Sequence, residues 1–229
     1  MPLPSTSSWR PSSRTGAPEG VDERDRVIDR ARSLGLVLSG EAAARLQRLL
    51  DELERWNRTY NLTALATREE MVTHHLLDSL AVRAELTGTS IADVGTGAGF
   101  PGLPLAITTP ERHFTLIDSV NKKVRFVAHA VRSLDLQNVA AVRSRAEDLR
   151  PAAPFDTVLA RALAPLPQLL AIVGNLCGPA TRVLALKGKR PDEEIAAVPS
   201  TWTVAAVRAL EVPGLDAERH LVVLARSRR

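Results

Sequence analysis

The chain has 229 residues, 45% hydrophobic and 24% charged, the balance of a folded protein with room for one substantial core and an added lobe. No apolar run approaches the ~18 residues of a membrane span, and a single cysteine, Cys177, cannot close an internal disulfide, so membrane-spanning and disulfide scaffolds are excluded and a reducing cytoplasm is expected. The formal net charge of +4 admits a polyanionic partner without requiring one.

The first twenty residues, MPLPSTSSWRPSSRTGAPEG, are too poor in apolar side chains to offset the entropy of ordering them, and a disordered tail is expected over 1–20. Helical spacing follows over 21–34, 40–57 and 68–86, as in Leu46, Leu49, Leu50, Leu53 and Trp56, which predicts a helical cap over 21–88. From residue 89 to 229 the period changes. Strands are predicted at 90–94, 113–118, 139–143, 155–160, 181–187, 202–208 and 219–225, with helices at 101–108, 120–135, 164–176 and 191–198. This alternation predicts a doubly wound, mostly parallel sheet. The last two strands are joined only by EVPGLDAE, too short for a parallel crossover, so they should pair antiparallel, with the antiparallel strand at the sheet's edge.

The first strand runs into DVGTGAGFPG. In such a sheet ligands collect at the carboxyl ends of the strands, and Gly95, Gly97 and Gly99 let the backbone approach a cofactor there. Two readings compete. Gly97, Gly99 and Gly102 fit the dinucleotide spacing, whereas Asp93 to Gly99 fits a D-x-G-x-G-x-G loop. Asp93 tips the balance, since a carboxylate there repels a pyrophosphate but suits the cationic end of S-adenosylmethionine. Asp118, ending the second strand in FTLIDS, is placed to accept hydrogen bonds from ribose hydroxyls, or alternatively to cap the next helix. With the final antiparallel strand, the pattern is that of a class I S-adenosylmethionine-dependent methyltransferase, a Rossmann-like seven-stranded α/β sheet carrying an N-terminal helical cap. An NAD(P)-dependent oxidoreductase and a non-catalytic RNA-binding factor remain as alternatives.

YNLTAL, HHLLDSL, DVGTGAGFPGLPLAI, TLIDSVNKKVRFV, SRAEDL, ARALAPL and LALKGK, in this order, resemble the small-subunit ribosomal RNA guanine-N7 methyltransferase family, also called glucose-inhibited division protein B. The resemblance covers 21–190 and implies transfer of a methyl group from S-adenosylmethionine to N7 of a guanine in 16S RNA, by in-line displacement with no covalent intermediate. It implies cofactor contacts at Gly95, Phe100, Ala146, Glu147 and Arg161, the last also as a positioning residue at the reaction centre. No Asn-Pro-Pro-Tyr-like motif, which amino-methylating relatives of the fold carry, stands at Arg161. That fits a ring nitrogen whose lone pair is available without a base.

All four lysines fall in two pairs, Lys122 with Lys123 and Lys187 with Lys189, each after a strand's carboxyl end, where RNA phosphates would approach. Arg226, Arg228 and Arg229 are candidates to add to that field. Asn61, His75 and Asp78 either line a guanine pocket or join cap to sheet. Cys177 reads as a small core residue, and no His/Cys/carboxylate cluster has metal spacing. With 3% aromatic residues a stacking platform for several bases is not expected; shape recognition of the small subunit by a monomer is.

Overall fold

The computed structural model describes residues 23–65 and 67–227; the tail expected over 1–20, and Arg228 and Arg229, lie outside the described residues. Two helices lead, α1 (Glu23–Ser33) and α2 (Gly40–Tyr60). Ser39 starts α2 by accepting the Ala42 N–H on its side chain, and Asn61, at φ 47°, ends it in the left-handed region. Leu46, Leu49, Leu50 and Leu53 form the buried stripe that the spacing predicts. Each such leucine contributes roughly 1.5–3 kcal/mol relative to exposure.

A capping box between Thr67 and Glu70 starts α3 (Arg68–Met71). The spacing predicts one helix through residue 86. Instead the chain widens into a π turn over Val72–Leu77, resumes as α4 (Asp78–Leu80) and finishes in a 3-10 turn at Arg83–Glu85. Within this turn the His74 carbonyl accepts from Arg161 Nη1 at 3.0 Å, and the Asp78 N–H donates to the carbonyls of Thr73 and His75. Such turns are frequent at functional sites, and this one carries His74 and His75 with Asp78 beside it.

The sheet consists of β1 (Ser90–Val94), β2 (His113–Asp118), β3 (Val139–Arg143), β4 (Phe155–Arg161), β5 (Cys177–Lys187), β6 (Trp202–Ala209) and β7 (His220–Arg226), in the order β3-β2-β1-β4-β5-β7-β6. β1 to β5 are parallel, and β7 runs antiparallel to both β5 and β6. The predicted hairpin is therefore present, but the antiparallel strand is not at the edge. Leu221 to Leu224 are all buried, as an interior strand requires, whereas β6 alternates in exposure and takes the edge. β5 starts at Cys177 rather than 181, because an irregularity near Gly178, whose N–H donates to Thr181 Oγ1, lets Cys177 pair with Phe155. Burial pushes the Cys177 thiol up to about 12, which fits an inert packing residue.

Helices α5 (Gly102–Thr108) and α6 (Asn121–Ser133) lie on one face of the sheet, where Leu103 and Phe126 share a single core with Leu46, Leu50 and Leu76 of the cap. On the other face α7 (Leu166–Val173) and α8 (Asp192–Ala196) cover a second cluster around Val158, Val183 and Trp202. The cap thus stands over one face near the carboxyl ends of β1, β4 and β5.

Candidate functional site

Two cavities open at those carboxyl ends and meet at Ala162, which follows β4 at φ 50°. The first is a crevice of about 290 Å³ between the ends of β1, β2, β3 and β4, with Gly95, Asp118, Val120, Ala146, Glu147 and Leu163 on its walls. Gly95, at φ 69°, brings bare backbone to the crevice, and a Cβ there would stand 2.7 Å from Leu163 Cδ1. Gly99, at φ 84°, turns the chain into α5 with no room for a Cβ against Leu103. Asp118 holds the loop from the opposite side: its Oδ2 accepts the Gly97 N–H at 3.0 Å and its Oδ1 the Val120 N–H at 2.8 Å. The buried carboxylate thus does the helix-entry work, and each oxygen keeps a further acceptor position toward the crevice.

Ala146 and Glu147 sit on a 3-10 turn after β3, fixed from below by Asn175, whose Nδ2 donates to the Ala146 carbonyl at 2.9 Å. The Glu147 carboxylate is exposed at the crevice. Val120 and Leu163 are large apolar side chains left 40% and 37% exposed across this space, so a flat apolar ring has walls to enter between. Backbone, ribose-type acceptors and apolar walls together fit the adenosine half of S-adenosylmethionine.

Asp93 has a different place from the one predicted. It lies beneath the loop, 1% exposed, with Oδ2 accepting from Thr96 Oγ1 at 2.6 Å and from the Gly102 N–H at 2.9 Å. It does not line the crevice, and it ties the loop to the start of α5. Burial raises its carboxyl to about 6, against the opposing pull of the Thr96 and Gly102 hydrogen bonds. Its Oδ1 is buried without a hydrogen-bond partner among the described residues. Phe100 also lines neither cavity: it is buried, with the His75 ring stacked on it at 4.5 Å between centroids. The D-x-G-x-G-x-G spacing and its charge put Asp93 in the contact set, and the family resemblance put Phe100 there, but the turn directs both side chains into the core.

The second cavity, about 490 Å³, lies between cap and sheet and is lined by residues that include Thr63, His75, Asp78, Arg161, Lys187 and Arg219. Asp78 is its pivot. Oδ2 accepts from Arg161 Nη1 and Oδ1 from Arg219 Nε, both at 3.0 Å, with the Asp78 side chain 3% exposed. Arg161 Nη2 faces His75 Nδ1 at 3.4 Å, and His75 Nε2 is 2.9 Å from Thr63 Oγ1. Burial first, and then the Arg161 guanidinium, hold the His75 ring down at about 3, so it is neutral. His75 and Asp78 therefore line a cavity between cap and sheet, and Asp78 joins the two through Arg161 and Arg219. Asn61 does not join them: it is exposed at the end of α2. Arg161, expected against the cofactor, lines the cap cavity instead of the crevice. Arg219 and Thr63 carry no signal in sequence beyond Thr63's place in YNLTAL; only the fold brings them here.

The lysines divide. Lys122 Nζ donates to the carbonyl of Tyr60 at 2.7 Å, joining α6 to the end of α2. Lys123 Nζ is 3.7 Å from Asp118 Oδ2 at the crevice. Lys187 Nζ is turned inward, to the Ala164 carbonyl at 2.9 Å and Glu194 Oε2 at 2.7 Å. Only Lys189 of the four is exposed with no ion pair or hydrogen bond among the described residues. Arg226 is not near the strands' carboxyl ends: β7 runs antiparallel, so Arg226 finishes at the opposite end of the sheet, over the Trp202 ring at 4.2 Å and bonded to the Gly174 carbonyl. Among the described residues no helix is long and apolar enough to cross a membrane.

Comparison with known proteins agrees with this geometry. Residues 42–222 match the family model described as rRNA small subunit methyltransferase G. A ribosomal RNA small subunit methyltransferase G of Xanthomonas axonopodis pv. citri is 51% identical over 82% of this chain and 88% of its own length. One from an Azoarcus species is 46% identical over 88% of this chain and 95% of its own. Among solved structures, the magnesium protoporphyrin IX methyltransferase of Synechocystis, with S-adenosylmethionine bound, aligns at a TM-score of 0.57 with 15% identity, covering 92% of this chain and 100% of that one. TrmN from Thermus thermophilus aligns at 0.53 with 21% identity, over 68% of this chain and 53% of that one. These likenesses show the class I methyltransferase fold, and neither the oxidoreductase nor the non-catalytic alternative finds support. The chain belongs to the rRNA small subunit methyltransferase G family.

Proposed function

We propose that this protein transfers a methyl group from S-adenosylmethionine to N7 of a guanine in the 16S RNA of the small ribosomal subunit, in the cytoplasm, with the donor in the glycine-loop crevice and the base in the cap cavity. The observation that carries the reading is that the two cavities meet at Ala162, with Arg161 and His75 on the base side of the junction. Bound there, S-adenosylmethionine supplies an electrophilic methyl on a cationic sulfur. The protein's own part is placement. Gly95 and Gly97 offer backbone, Asp118 accepts from the ribose, and Ala146 with Glu147 meets the adenine's amino edge. Asp93 holds the loop from below.

Guanine N7 carries a free lone pair at neutral pH, so no base has to remove a proton from it. The cap cavity matches this requirement: its histidine is neutral and already bonded on both nitrogens, and Asp78 is neutralised by two arginines. Arg161, fixed by Asp78 and the His74 carbonyl, acts as a positioning residue that sets the wall between donor and base. Alignment alone is worth up to ~7–11 kcal/mol in well-oriented systems.

The test is transfer of labelled methyl to small subunits from a strain lacking this modification, followed by chemical cleavage at 7-methylguanosine. Label at one guanine of 16S RNA is expected, with Asp118→Ala weakening S-adenosylmethionine binding by at least about a hundredfold, since it strips the anchor from two loop amides as well as the ribose contact. Label at another atom, or only on small molecules, would overturn the substrate assignment.

A further inference from the structure

The Thr63 hydroxyl stands in the wall of the cap cavity with both of its lone pairs occupied. One occupant is the Leu65 N–H at 3.2 Å. The other is His75, and its direction follows from the neighbours. Arg161 is a donor and nothing else, and its Nη2 faces His75 Nδ1 at 3.4 Å, so Nδ1 accepts. A neutral imidazole has one N–H, and the Arg161 contact assigns it to Nε2, facing Thr63 Oγ1 at 2.9 Å. A hydroxyl oxygen has two acceptor sites, and both are filled; its own proton can only be given away. Among the described residues nothing accepts it, and Thr63 faces the cavity.

We propose that the Thr63 hydroxyl, held as an obligate donor by His75 and Leu65, selects the base by donating to the oxygen on C6 of the guanine. The inference rests on the reading that the base enters the cap cavity. That oxygen lies next to N7 on the same edge of the purine, so a donor there leaves the N7 lone pair free for the methyl. Adenine carries an amino group at the same place and would set donor against donor, leaving two polar groups unpaired in a confined site. The charged groups of the wall are less suited to this task. Arg161 and Arg219 are directed at Asp78, and Lys187 is bonded to Ala164 and Glu194. Thr63 is thus a specificity residue, and His75 a positioning residue that acts through it.

The experiment uses the full chain and small subunits carrying either guanine or 2-aminopurine, which lacks the C6 oxygen, at the position that the wild type labels. Initial rates of labelled-methyl transfer are read together with S-adenosylmethionine affinity by titration calorimetry. The wild type should favour guanine, and Thr63→Val should lower the guanine rate about tenfold, the scale of one lost hydrogen bond in a confined site. In that variant the guanine preference should shrink by the same factor, and donor affinity should be unchanged. Thr63→Ser should restore both rate and preference. Any difference in intrinsic N7 reactivity between the two bases cancels when the variant's preference is divided by that of the wild type. A Thr63→Val protein with the wild-type preference overturns the inference; so does one that loses donor binding, or a failure of Thr63→Ser to rescue. If the wild type labels no guanine of the small subunit, the proposed reaction itself falls and the inference with it, a result distinct from an unaltered preference in a working enzyme.

Discussion

The two cavities are built in opposite ways. The crevice takes its polar contacts from backbone and from a few side chains such as Asp118 and Glu147, on strand ends and turns between Val94 and Ile172. The cap cavity is made of side chains drawn from the whole length of the protein, from Thr63 to Arg219, and its geometry depends on one aspartate accepting from both the fourth strand and the segment before the seventh. The donor site is therefore a property of a loop, and the base site a property of the docked cap. Substitutions should separate them.

Asp78→Ala makes the largest break. It leaves two guanidinium groups, on Arg161 and Arg219, facing each other without their shared carboxylate, both side chains less than a quarter exposed. Removing one partner from such a buried network costs about 3–5 kcal/mol. Urea unfolding should register that loss and methyl transfer should collapse, whereas S-adenosylmethionine should still bind within several-fold of wild type, because no crevice contact involves Asp78. A parallel collapse of donor affinity would show that the cavities are a single unit.

The same contrast appears in pH, with opposite signs. His75 titrates at about 3 in the fold against 6.5 when unfolded. Between those values the unfolded chain binds a proton that the folded one refuses, so stability present above about 6.5 is lost as pH falls toward 3, by up to roughly 5 kcal/mol. Asp93, beneath the loop, is raised from 3.8 to about 6. There the folded chain holds a proton that the unfolded one has released, so stability declines as pH climbs from about 4 to 6, by up to roughly 3 kcal/mol, and is level beyond. His75→Gln, which keeps a donor toward Thr63, should flatten the first limb. Asp93→Asn, which keeps an acceptor for Thr96 and Gly102, should flatten the second and raise stability at pH 8. Unfolding at pH 4.5, 5.5 and 8 checks both. A wild-type profile in either variant would mean that its group does not titrate as its surroundings dictate.

This difference also explains what could be read from the sequence. The strand positions up to β5, the glycine turn and Asp118 follow from local chemistry: period, turn conformation and a carboxylate at a strand's end. The final hairpin was legible as a pairing, but not its insertion, because whether β7 or β6 lies inside depends on which apolar run is covered on both faces. Asp93 follows from the loop spacing and its charge and Phe100 from the family resemblance, but a turn of one residue decides whether a side chain points up to the ligand or down into the core. Asp93 is held down by Thr96 and Gly102, contacts that only a folded loop makes. The π turn left no trace in the spacing, and its carbonyl partner Arg161 lies far along the chain. For the same reason nothing marked Arg219.

The smallest effect concerns the lysines, which sequence pairs but the fold separates. Lys187 is bonded inward to Ala164 and Glu194, while Lys189, two residues on, projects from the rim just past Gly188 of the cap cavity. A lysine that neutralises one phosphate releases about one counterion, so Lys189→Ala should reduce the slope of log affinity for small subunits against log salt by roughly 0.7–0.9, with a few-fold weaker binding at low salt and kcat unchanged. Lys187→Ala should leave that slope alone and instead lower stability by about 1–2 kcal/mol, since the Glu194 carboxylate loses its ammonium partner. Affinity measured at three salt concentrations for each variant decides between them. An altered slope with Lys187→Ala and none with Lys189→Ala would mean that RNA binding pulls Lys187 out of its contacts, and that the rim closes around the phosphate backbone rather than presenting a fixed charge to it.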